Sequence, residues 1–292
     1  MPEDVEVELV VDARAEVAEG PIWDERAGRL LWCDIMAGGL HSYDPATRED
    51  EVRDVGQAVG TVVPRESGGL VLAVRDGFAL VEPDGGLRVV AEVEADNRSN
   101  RMNDGACDSA GRFWAGTMAF DSTPGAGAFY RFDPDLTVEK VLDGVSISNG
   151  VGWSLDETTM YYVDSPTYRI DAFDFDLAAG AIDNRRAFAE LPRDLGIPDG
   201  LVVDAEGFLW VAVFGGGCLR RYAPDGTLDR ELPLPVRCPT KPAFAGPELT
   251  EMYVTSASAT LTPEEREAQP HAGGLFRLDP RATGRPVNTF GG

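Results

Sequence analysis

A single unit recurs along this chain, and a repeat constrains a fold more tightly than composition does. Its clearest copy spans 149–164 (NGVGWSLDETTMYYVD), which reads as a strand over 150–154, a turn over 155–158 and a second strand over 159–163. Six hairpins share the pattern of strand, polar tip and returning strand ending near Asp-Pro or Asp-Gly. They lie at 28–45, 68–85, 111–134, 159–176, 207–226 and 251–280. Alternating apolar residues bounded by turn formers are the signature of half-buried strands. A further strand follows most hairpins, at 51–55, 87–93, 138–142, 186–191 and 228–232, and another precedes each one. Four strands per repeat at a spacing of roughly 40 to 50 residues is the size of a propeller blade.

The expected fold is therefore all-β: a six-bladed β-propeller of four-stranded antiparallel blades around a central channel, one domain over residues 1–292. The last hairpin lacks a following strand. The run 5–11 (VEVELVV) has the right alternation and is expected to supply it and close the ring. No sustained helical period is present, so a doubly wound α/β fold is excluded; 262–268 (TPEEREA) is expected to form a turn or two of helix.

Charge and residue usage narrow the function. A net charge of -24 argues against nucleic acid and anionic membrane partners, which would repel it. No apolar run approaches the roughly 18 residues that span a bilayer. The acidic start, Met-Pro-Glu-Asp, does not resemble a secretory signal, and a cytoplasmic location is the expectation. Only Lys140 and Lys241 are lysines. Two readings fit that surface: work in high salt, where mutual repulsion is screened, or a high-GC genome that trades Lys for Arg. Cys33, Cys107, Cys218 and Cys238 lack C-x-x-C spacing and read as buried thiols. With only His41 and His271, a histidine-rich zinc site or a Ser-His-Asp triad has little material, and neither G-x-S-x-G nor a P-loop is found. Trp32, Trp114 and Trp210 share one place in three repeats and read as core between blades.

Aligning the blades on their second strands superposes the residues at which the first strands begin: Glu19, Val59, Asp104, Asn149, Asp199 and Lys241. Four of these are oxygen donors followed by Gly. Any one Asp-Gly or Asn-Gly is ordinary turn chemistry. Four in register, with Glu19 among them, converge near the channel and suit a hard divalent cation such as Ca²⁺, Mg²⁺ or Mn²⁺. Lys241, at the sixth position, is read either as a partner for substrate or a ligand carboxylate, or as a solvated residue of the mouth.

Six stretches, in order, also resemble a known family. They are EGPIW at 19–23, NRMNDG at 100–105, GRFWAGTM at 111–118, ISNG at 147–150, PDG at 198–200 and AGGLF at 272–276. The chain resembles the senescence-marker-protein, gluconolactonase and luciferin-regenerating family from about Ala18 to about Leu278. The resemblance implies a six-bladed propeller with one divalent metal (Ca²⁺, Zn²⁺, Mn²⁺, Mg²⁺ or Fe²⁺) on the axis, held by Glu19, Asn149 and Asp199. It places Arg101 and Asn103 at sugar hydroxyls. The acidic residue that the family often carries after Gly-Thr-Met falls at Asp121, which is shorter than Glu. Asp104 looks like a residue that supports the ligands from behind or an orienter of the metal's water. The expected activity is hydrolysis of an aldono-lactone, such as glucono-, xylono- or arabinono-lactone, with Asp199 as ligand and general base. The expected partner is a small sugar lactone, and the expected state a monomer or homodimer. The alternatives are a phosphotriesterase or broad lactonase on the same scaffold, or a non-enzymatic propeller that binds calcium or protein on its rim.

Overall fold

The computed structural model describes residues 5–292. Six four-stranded antiparallel sheets form the blades of a propeller. The innermost strands are Ala18–Asp24, Val59–Pro64, Asn100–Cys107, Ser148–Trp153, Ile197–Val203 and Pro239–Ala245. Blades one to five take four consecutive strands each. The sixth takes Pro239–Ala245, Glu251–Ser256 and Leu275–Leu278, and then Val7–Val11 from the start of the chain. Val7 pairs with Leu278 and Leu9 with Phe276, so the alternating run at 5–11 joins the ring where expected. Burial falls outward along each blade. Pro239–Ala245 is buried throughout, whereas the outer strand Glu49–Asp54 is largely exposed. The segment Pro263–Ala268 is helical, with a capping box between Thr262 and Glu265. Among the described residues, no helix is long and apolar enough to cross a membrane.

Every innermost strand carries an irregularity at the same place. Pairing with the second strand slips by one residue between Glu19 and Ile22, Val59 and Thr61, Met102 and Gly105, Ser148 and Val151, Pro198 and Leu201, and Pro239 and Pro242. A bulge frees one residue from the ladder and re-aims its side chain. Repeated six times, it interrupts regular pairing at the start positions or just after them, at one end of the channel.

Apart from Gly20, whose φ of +59° is left-handed, the glycines that follow serve close packing rather than turn chemistry. A Cβ on Gly60 would lie 2.2 Å from the Asn103 carbonyl oxygen, and one on Gly200 would lie 2.4 Å from Lys241 Cβ. Adjacent innermost strands thus come nearer to each other than any side chain permits.

Between blades, Trp32, Trp114 and Trp210 are fully buried, as their shared place in the repeat suggested. Two of them hang from a common device. The indole of Trp114 donates to Asp108 (2.9 Å), and that of Trp210 donates to Asp204 (3.0 Å). Each of these aspartates is fully buried, accepts two turn N–H groups and is neutralised by an arginine, Arg112 or Arg221. Residues 283–292 run across the far end of the channel. Thr283 accepts from Ala205 N, Phe290 N donates to Pro64 O, and Gly291 N donates to Gly111 O. Phe290 stacks on Phe132, which stacks on Phe78.

Candidate active site at the channel mouth

Five of the six start positions bring a polar or charged group to the axis; Val59 brings none. Glu19, Asp104, Asn149, Asp199 and Lys241 are all less than a tenth exposed. In a six-membered ring, blade one faces blade four and blade three faces blade six. Glu19 therefore confronts Asn149 across the channel, with Asp199 on the neighbouring fifth blade.

The two carboxylates are poorly satisfied by protein alone. Glu19 Oε2 accepts only the adjacent Gly20 N–H (2.8 Å), and Asp199 Oδ1 is buried without a partner. Burial and the nearby Asp104 charge push the Glu19 carboxyl up to about 8. Burial, then the charges of Glu19 and Asp104, hold Asp199 well above the ordinary carboxylate range. Negative charge is concentrated here with too few donors to balance it.

The amide of Asn149 is oriented by a chain of hydrogen bonds. Its Nδ2 donates to Ser165 Oγ (2.8 Å), and its Oδ1 accepts from Asn103 Nδ2 (2.9 Å). Asn103 Nδ2 also donates to Ser148 O, and Asn103 Oδ1 accepts from Arg101 Nη1 (2.5 Å). With Nδ2 committed outward, the amide's oxygen is the end that serves the axis. Arg101 is buried and retains a free Nε. Burial draws its pKa down to about 10, against the pull of Glu19 and Asp199, so it stays cationic at neutral pH.

Asp104 and Lys241 form a pair across the channel. Lys241 Nζ donates to Asp104 Oδ1 and to Gly105 O (3.1 Å), while Asp104 Oδ2 is buried without a partner. Below the pair lies a cavity of about 150 Å³, bounded by Gly20, Gly105 and Lys241 and, toward the far end, by Arg285–Asn288.

The structure does not join Asp121 to this network. Its carboxylate is on the surface and accepts from Thr123 N (3.0 Å) and Oγ1 (2.7 Å), which hold it below the ordinary range. Its neighbour Phe120 stands closer to the site than residue type alone suggested. The ring is 40 % exposed and lies 5.9 Å from the Arg101 guanidinium carbon. Ser165 was likewise invisible in the sequence, where a serine after the second strand carries no signal of its own.

Among the described residues, no group of three or more His, Cys, Asp or Glu side chains is set to hold a metal. The set at the axis is different in kind: two carboxylates and an amide oxygen. The orphaned Asp199 oxygen and the mutual repulsion of Glu19 and Asp199 fit a small divalent cation with oxygen preference.

Comparison with known proteins agrees with this architecture. The sequence model of the SMP-30/Gluconolactonase/LRE-like region matches residues 17–258. The chain belongs to this family. It is 40% identical to regucalcin of Xenopus laevis over 281 residues, 94% of each chain. A regucalcin structure from Agrobacterium tumefaciens, described as a calcium-binding protein, superposes with a TM-score of 0.94 at 30% identity, covering 98% of both chains. A luciferin-regenerating enzyme superposes at 0.92, also at 30% identity, covering 98% of this chain and 99% of that one. Family membership accounts for the six motifs in order.

Proposed function

We propose that this member of the SMP-30/gluconolactonase family hydrolyses a sugar lactone with the help of one divalent cation held by Glu19, Asn149 and Asp199. The observation that supports it most is the convergence of those three side chains beside a fixed arginine, on a buried axis where, among the described residues, neither Glu19 nor Asp199 has an ion-pair partner of its own. When bound, such a cation supplies Lewis acidity toward the lactone carbonyl and its developing oxyanion.

The chain's own residues do the rest. Asp199 Oδ1, free of protein partners, accepts the proton of a water that adds to the carbonyl carbon. The ring C–O bond then breaks, the proton passes to the departing alkoxide oxygen, and an aldonic acid results. Relaxing the bond that now ties them together frees an Arg101 Nη1–H group as a donor and Asn103 Oδ1 as an acceptor for substrate hydroxyls, which selects a sugar over a plain ester. Asp121 contributes only if it exchanges Thr123 for a substrate hydroxyl.

The test is acid release from pentono- and hexono-lactones by metal-stripped protein reloaded with each divalent ion. Metal-dependent opening of sugar lactones supports the reading. Tight cation binding without lactone opening would favour the binding propeller, and opening of phosphotriesters or simple lactones with sugars inert would favour the broader hydrolase.

A further inference from the structure

Lys241 is unlike every other cation of this protein. It is one of two lysines, and the other, Lys140, lies half-exposed on an outer strand beside Asp143. Lys241 is 7 % exposed, on the innermost strand of the sixth blade, and its ammonium crosses to Asp104 on the opposite third blade. Burying an ammonium is unfavourable unless it is paired and hydrogen-bonded, and here both conditions are met from across the channel. The fold makes room for it, since any side chain at Gly200 would strike Lys241 Cβ and Cγ.

Charge balance shows what the crossing accomplishes. The axis holds three carboxylates: Glu19, Asp104 and Asp199. Arg101 acts on Glu19 and Asp199 through its charge and donates to Met102 O and Asn103 Oδ1, with no bond to Asp104. Without Lys241, Asp104 would be a fully buried carboxylate with one backbone N–H as its donor and a second oxygen with no partner at all. Cation sites of hard oxygen ligands gain affinity with each added carboxylate. Three carboxylates at one channel mouth would hold the first cation tighter or take up another.

We propose that Lys241 is a built-in counter-ion: it neutralises Asp104 from across the axis, fills the charge position that a further cation would occupy, and so fixes the capacity of the centre at one divalent ion of moderate affinity. The proposal rests on the reading that Glu19, Asn149 and Asp199 hold a cation. It makes Lys241 a positioning residue, acting through Asp104 rather than on substrate.

Calorimetric titration of Ca²⁺ into the metal-stripped full chain tests it, using wild type, Lys241→Met, Asp104→Asn and the double variant. Wild type is expected to bind one equivalent. Lys241→Met should bind a second equivalent, or the first at least about tenfold tighter, because a nearby positive charge is gone. Asp104→Asn leaves the ammonium uncompensated and should weaken binding by about tenfold or more. The double variant restores neutrality and should return to one equivalent near wild-type affinity. If Lys241→Met does not fold, comparing Asp104→Asn with the double variant still isolates the lysine charge, and the double variant must bind at least about tenfold tighter. Equal affinities in that comparison, or a folded Lys241→Met that titrates like wild type, overturns the proposal. Weakening by both single substitutions would also overturn it, since that is the outcome of packing alone. A wild-type chain that binds no divalent ion would overturn the metal reading, and the proposal with it.

Discussion

At the scale of single residues, Asp199 has two duties in the proposed reaction, cation ligand and base, and substitution can separate them. Asp199→Ala removes both, so cation affinity and rate should collapse together. Asp199→Asn keeps an oxygen donor but cannot take a proton, so at saturating cation kcat should fall by roughly 10²- to 10⁴-fold while binding persists. A near-normal kcat in that variant would acquit Asp199 and direct attention to Asp104. A second expectation concerns pH. Glu19 has an ordinary value of 4.5, and burial raises it to about 8 in the folded, cation-free chain. Between those values the folded chain keeps a proton that the unfolded chain has lost, so stability falls as pH rises through that window. A divalent cation takes the proton's place and should flatten the slope. Urea midpoints at about pH 5 and about pH 8, with chelator and with Ca²⁺, measure it; a chelated protein with no such fall would show that the carboxylates are better solvated than their burial implies. The ring of start residues was legible in the sequence because each repeat presents its own member at the same register. Their pairings were not. Lys241 and Asp104 are separated by 137 residues and meet only because six blades close into a circle. The orientation of Asn149 likewise depends on Ser165 and Asn103, which no period links.

Elements were legible where they repeat and obscure where they do not. All six hairpins and their outer strands carry a period of two, and the helix at Pro263–Ala268 carries a capping box. Five of the innermost strands begin within two residues of the start positions and the third begins four residues before Asp104, at Asn100, while their shared bulges leave no mark in the alternation. The closing segment at 283–292 shows neither period, and its backbone bonds go to four different blades. Two closures can be tested separately. Deleting residues 5–11 strips the partner from Leu275–Leu278 and leaves an open sheet edge, so the whole chain should melt earlier and aggregate more readily. An unchanged melting temperature would mean the edge tolerates exposure. Phe290→Ala removes a fully buried ring from its stack on Phe132 and should lower stability by about 3–5 kcal/mol. Lactone opening by the surviving folded fraction should be unaffected, because Phe290 lies at the far end of the channel. A loss of specific activity without a loss of stability would instead make the tail part of the site.

For the whole molecule, the governing quantity is a net charge of -24, from 50 acidic and 26 basic residues. Two effects of salt oppose each other. Surface pairs such as Arg29 with Glu51 and Arg186 with Asp174 weaken as ions screen them. Each such pair is worth about 0–1 kcal/mol, so their combined loss is small. Repulsion among the surplus carboxylates is a property of the compact state as a whole, and it too is screened, as the Debye length falls from about 10 Å at 0.1 M to about 3 Å at 1 M. With nearly twice as many acids as bases, the second effect should win. The melting temperature is therefore expected to rise between low-millimolar and molar KCl, most steeply at the low end, where screening changes fastest. Chloride is the right probe, because sulfate would strengthen apolar burial on its own account. The cation site must be kept saturated throughout, so that filling it is not mistaken for screening. A rise that continues beyond about 1 M, where pairwise screening is largely complete, would mark a surface adapted to concentrated salt. A melting temperature already at its plateau in dilute buffer would show that the arginine-rich pairing neutralises the fold adequately, and would leave genome composition as the reason for so few lysines.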